Sequence, residues 1–167
     1  ENFLGGYRSG LEKNPDVEQF TVIYQISDMP ALFGEQEIAA NAFSVDSTFF
    51  KIFPYRVIAG SGRIVRPRDV VITRSFWKKK LGGKNAIGAT FKNTKGNKFT
   101  IIGVVDDPDT KTSWMPDIFM SDELDEFLFF DPIYAMLMAP DTDIALLNKK
   151  YSKEHPRSKW STYETER

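Results

Sequence analysis

A mixed α/β fold follows from three features of this sequence. Apolar-rich segments at 17–26, 37–45 and 98–105, set off by Asn, Pro and Gly, read as strands. Between them lie short segments with capping residues in front and glycines behind, best seen at 73–83, which read as helices. Hydrophobic residues make up 41% of the 167, and aromatics 14% with 14 Phe, which supplies the apolar surface that a disordered chain lacks.

Phe3, Tyr7 and Leu11 recur at i, i+4 and i+8, a weakly amphipathic helix. Gly5 and Gly6 each cost it about 1 kcal/mol relative to Ala, and Asn14-Pro15-Asp16 stops it. In the strand at 17–26, Val22, Tyr24 and Ile26 share one face. Residues 27–36 carry Pro30 and Gly34 and read as loop, and a second strand covers 37–45. Asp46, Ser47 or Thr48 is placed to cap a short helix whose Phe49, Phe50, Ile52 and Phe53 plug the core. Residues 60–68 form a turn with Arg63, Arg66 and Arg68. The plain reading is a solvated loop, and the sharper one an anion or partner contact.

Residues 69–73 read as a buried strand, followed by a helix to Leu81 capped by Thr73 or Ser75. Trp77 and Leu81 share a face of it, Lys78, Lys79 and Lys80 complement its dipole, and Gly82-Gly83 ends it. Segments 90–93 and 98–105 flank Thr94-Lys95-Gly96-Asn97 as a hairpin, with Phe91, Phe99 and Ile101 on its buried face. Residues 106–116 form a polar loop, 117–121 a short strand and 122–130 an acidic then apolar stretch. A strand at 133–139 precedes a helix that opens with Asp141 and Asp143 and buries Ile144, Leu147 and Tyr151. The tail beyond 156 reads as mobile.

Composition removes several functions. The 22 Lys and Arg balance 23 Asp and Glu, without the basic excess of a dedicated nucleic-acid binder, so no nucleic-acid partner is expected. With no Cys there is no disulfide, thiolate zinc site or thiol nucleophile. The single histidine, His155, sits at a helix end beside proline, a poor place for a triad base, and one imidazole cannot make a His-rich metal site. Gly83-Lys84 lacks the glycine spacing and the Ser/Thr of a phosphate-binding loop. Asp106, Asp107 and Asp109, and the 122–126 acids, do not match an EF-hand and read as solvated surface. No catalytic, cofactor-binding or metal residue is assigned, and the chain is read as non-enzymatic. No apolar run reaches the roughly 18 residues of a membrane span, and residues 1–6 are unlike a signal peptide. The chain therefore reads as a soluble piece excised from a longer protein.

One ordered set of segments resembles a known family. Val45-Asp46-Ser47-Thr48-Phe49-Phe50-Lys51-Ile52-Phe53 is similar to a strand, an aspartate and a "Phe-Phe-Lys-Val-Phe" helix. A glycine turn follows at Ala59-Gly60-Ser61-Gly62-Arg63. Val70-Val71-Ile72, a helix and Leu81-Gly82-Gly83 come next, then Asn85-Ala86-Ile87-Gly88 and finally Ile102-Gly103-Val104-Val105-Asp106-Asp107. In that order and spacing, over about 37–121, they resemble the extracytoplasmic domain of MacB/FtsX-type ABC transporter permeases. Gly82, Ala86 and Ala89 depart from the family's Phe, Pro and Lys, as packing and turn variations.

The resemblance implies an α+β fold: a layered α/β porter-like part from both chain ends (1–36 plus 117–167) with a β-rich inserted subdomain (37–116), in one extracytoplasmic domain over 1–167. It also implies a permease of the bacterial inner membrane, this domain on the periplasmic side and without cofactor. Implied partners are a cytoplasmic ATP-binding subunit acting through the transmembrane helices, a second permease copy, and a periplasmic protein, lipoprotein or cargo. Transmission or docking is the expected role, and a stand-alone small-ligand binding module the alternative, its pocket drawn from Trp77, Trp114 or Tyr134. A carboxylate hydrolase is the third reading. Under the first, loops 27–36, 106–116 and 122–130 are the contact regions, with Trp114, Met115, Phe127 and Phe129 as anchors.

Overall fold

A computed structural model describes residues 3–108, 115–123, 132–147 and 149. Its elements run α1 (Phe3–Glu12), β1 (Val17–Phe33), β2 (Gln36–Val45), α2 (Phe49–Ile52), β3 (Val57–Gly60), β4 (Asp69–Thr73), α3 (Arg74–Lys80), β5 (Thr90–Lys92), β6 (Lys98–Val105), β7 (Ile118–Ser121) and β8 (Ile133–Met138). The fold is α+β, a mixed sheet with a few helices.

The chain divides into two compact units, 1–18 with 138–167, and 19–137. In the first, α1 buries Leu11, and Asn14 ends the helix by donating its N–H to the Leu11 carbonyl. Its side chain also accepts from the Asp16 N–H at 3.0 Å. Ala139 N–H donates to the Asp16 carbonyl. Asp143 accepts from the Leu146 N–H at 2.9 Å and so starts the helical turn at 144–147, which buries Leu147. Of the stripe foreseen there, Tyr151 lies outside the described residues.

In the second unit, hydrogen-bonded neighbours follow the order β2-β7-β4-β6-β5-β1-β8. Because β1 also pairs with β2, the six strands from β2 to β1 form a closed circuit. The closing step between β5 and β1 is a single pair, Leu32 opposite Lys92. Within the circuit each strand has a neighbour on both sides, which leaves fewer free edges to invite strand addition. Side chains alternate between two apolar clusters. Ala40, Ala42, Val70, Ile72, Phe91, Phe99, Ile101, Ile118 and Met120 belong to one. Phe43, Val45, Val71, Val105 and Phe119 belong to the other, with Ile23 and Phe49. On β6 the parity changes: a bulge opposite Val70 and Val71 inserts one residue, so Ile101 and Val104 fall in the first cluster and Val105 in the second.

Two elements differ from the reading of the sequence. Residues 27–36 are strand up to Phe33, joined to β2 through Gly34 at φ +63°. Pro30 fits because it directly follows the bulge between Ile26 and Met29. β3, a four-residue strand unforeseen in the sequence, pairs with β6.

Candidate functional site

Of the four anchors expected from the sequence, Trp114, Phe127 and Phe129 lie outside the described residues. Met115 is 52% exposed. It lines a shallow concavity of about 140 Å³ together with Gln25, Ile26, Ser27, Asn41, Ala42 and Phe43. The β1 bulge shapes this spot. Asp28 takes φ +49°, unusual for a residue with a Cβ, and its N–H donates to Asn41 Oδ1 at 3.3 Å. Asn41 and Asp117 then lock reciprocally. Asn41 N–H donates to Asp117 Oδ2 at 2.9 Å, and Asp117 N–H donates to the Asn41 carbonyl at 2.7 Å. The arrangement can present a thioether and a few amide groups to a partner. It is below the roughly 300 Å³ at which small-molecule sites begin.

The segments that carried the resemblance converge on structural tasks. Asp46 accepts from Thr21 Oγ1 at 2.8 Å, the Val22 N–H at 3.1 Å and the Thr48 N–H at 2.9 Å, tying β1 to the start of α2. Thr48 holds the N-cap position without a side-chain cap bond. Phe49 is buried, with ring centroids 5.2 Å from Phe50, 5.1 Å from Phe53 and 5.4 Å from Phe119. The two motif glycines meet in space. A Cβ on Gly103 would sit 1.6 Å from the Ser61 carbonyl oxygen, and one on Gly60 2.2 Å from that of Ile102. Only backbone lacking a Cβ allows the turn after β3 to lie against β6 this closely. Ala86 is buried in the first cluster, and Gly88 N–H donates to the Ile101 carbonyl. Thr73 caps α3 by accepting from the Phe76 N–H.

The acidic end of this signature is not free surface. Asp106 pairs with Arg56, whose Nε is at 3.1 Å, and with Arg74 at 2.8 Å. The hydrogen bond from Arg56, helped by the charges of Arg74 and Arg56, holds the Asp106 carboxyl below its ordinary pKa. Asp107 accepts from Ser75 Oγ at 2.9 Å and from its N–H at 3.1 Å. Burial, with Asp107 close by, pushes the Tyr55 phenol up to about 12. Sequence reasoning took Asp106 and Asp107 as solvated and passed over Arg56 and Arg74. Two arginines 18 positions apart, neither at helix spacing from the acid, gave no local signal. Asp109 lies outside the described residues. Among those described, no group of three His, Cys, Asp or Glu is placed to hold a metal ion, and no helix is long and apolar enough to cross a membrane.

A closed mixed sheet with short helices, its signature residues committed to turns, caps and ion pairs, defines a porter-type α+β domain. The chain belongs to the MacB-like periplasmic core domain family, whose model matches residues 6–150. Among solved structures it is similar to a domain of a "putative Permease protein" from Porphyromonas gingivalis, with TM-score 0.72 and 18% identity over 89% of this chain and 75% of that one. It is also similar to the periplasmic region of MacB from Actinobacillus actinomycetemcomitans, with TM-score 0.67 and 18% identity over 87% and 69%. The extracellular domain of the noncanonic ABC-type transporter YknZ from Gram-positive bacteria has TM-score 0.63 and 16% identity over 86% and 81%. No curated protein matches by sequence.

Proposed function

We propose that this chain is the extracytoplasmic domain of an ABC transporter permease, and that its 19–137 unit is a stiff body passing ATP-driven motion of membrane helices to a periplasmic partner or cargo. It makes and breaks no bonds itself. The carrying observation is the family match over 6–150, joined to the use its signature residues are put to. Asp46, Gly60, Gly103 and Asp106 all brace one β-circuit against its neighbours. A domain that transmits displacement must resist internal deformation, and the switching element then lies elsewhere. The ATP would be hydrolysed by a cytoplasmic subunit, and a second permease copy would complete the assembly.

Protease digestion of spheroplasts carrying the full-length protein tests the placement. Added protease is expected to cleave this domain in intact spheroplasts. Cleavage only after lysis would overturn the proposal.

A further inference from the structure

Net charge hides a strong segregation. Between Arg56 and Lys98 the chain carries twelve Lys and Arg against one acid, Asp69, while the rest carries ten against 22; the two portions have net charges of +11 and −12. Arg56 and Arg74 are taken up by Asp106. The other ten cations, from Arg63 to Lys98, are exposed, and among the described residues none of them is in an ion pair within 4 Å. Lys92 and Lys98 stand directly opposite each other across the β5–β6 hairpin. Such like-charge pairing is unfavourable in isolation, and an anionic surface would relieve it.

Exposed apolar side chains occur in the same region. Val65 is 75% exposed, Val57 46% and Ile87 41%. Two of them border the glycine turn: a Cβ on Gly60 would meet Ile87 Cδ1 at 2.8 Å, and one on Gly62 would meet Val57 Cγ2 at 2.5 Å. Thus apolar tips and unpaired cations share the segment from β3 to the start of β6.

We infer that this segment forms a surface that docks on an anionic lipid bilayer, the cations meeting headgroup phosphates and Val65 and Ile87 entering the interface. Seven of these ten exposed cations are lysines, and Arg68 stands over the Phe99 ring at 5.9 Å. Lysine is depleted in specific protein interfaces, whereas polybasic surfaces with apolar tips suit a diffuse anionic plane. The inference rests on the reading that the domain works beside a membrane, but its test does not need the permease.

The 167-residue chain is co-sedimented with sucrose-loaded vesicles of phosphatidylcholine alone or with a third phosphatidylglycerol. Binding to the anionic vesicles only, weakened by salt, is expected. Lys92→Gln/Lys95→Gln/Lys98→Gln should lower the partition coefficient roughly tenfold or more, since each cation contributes about fivefold. Val65→Ser should lower it several-fold without changing the salt slope. Circular dichroism melts confirm that the variants fold. Equal partitioning to both vesicle types would overturn the inference. So would tight binding to polyglutamate that is indifferent to Val65→Ser, because that result assigns the surface to an acidic protein.

Discussion

At the scale of single residues, the close approach of two backbones is the sharpest constraint. Gly103→Ala places a methyl inside the Ser61 carbonyl, and neither partner is a flexible side chain. Urea denaturation should show a loss of about 3 kcal/mol. Gly96→Ala, at positive φ but in open space, should lose only about 1 kcal/mol. Equal losses would mean that the turn after β3 does not lie on β6. The ionisable residues predict two limbs of a pH profile. Asp106 has a lowered pKa in the fold, so its contribution is present above the unfolded carboxylate value near 4 and is lost as pH falls through the lowered one. Asp106→Asn should therefore be less stable at neutral pH and show a flatter acid limb. Tyr55 has a raised pKa, so its contribution is whole below about 10 and is lost as pH rises towards about 12. Tyr55→Phe should flatten that alkaline limb in equilibrium unfolding.

At the scale of elements, α2 is four residues long and far too short to hold itself together. Its stability comes from Phe49 against Phe119 and Phe53. Phe49→Ala should cost about 3–5 kcal/mol by chemical denaturation. Phe50→Ala, at a half-buried position, should cost clearly less, and comparable losses would contradict this account of the helix. The sequence made most elements legible where pattern and punctuation agreed, as in β4, α3 and the β5–β6 hairpin. It failed where they conflicted. Pro30 and Gly34 suggest a loop, yet the bulge after Ile26 lets the strand run past Pro30. β3 is too short for alternation to register, and its pairing with β6 is non-local. The bulge on β6 was equally hidden, because Ile-Ile-Gly-Val-Val is apolar on every phase.

At the scale of the whole molecule, the family was legible from an ordered set of weak motifs, whose residues serve as caps, turns and ion pairs in the fold. The closed circuit was not legible. It depends on parallel pairing of β2 with β7, which lie more than 70 residues apart, and on the single β5–β1 pair. Nor did the sequence separate partner anchors from core. Met115 is exposed, while Phe49 and Phe119 belong to an internal cluster. Charge counted over the full chain concealed its polarity, because the basic and acidic portions nearly cancel. The rigid-body account is tested most directly by paired spin labels in the full-length permease assembled with its ATPase. This chain has no cysteine, so Lys51→Cys with Lys92→Cys reports an internal distance, and Lys92→Cys with a label on a membrane helix reports the motion of the whole domain. The account predicts an internal distance unchanged by ATP and a domain-to-membrane distance that shifts by several ångström. An internal distance that moves with nucleotide while the domain-to-membrane distance stays fixed would contradict it.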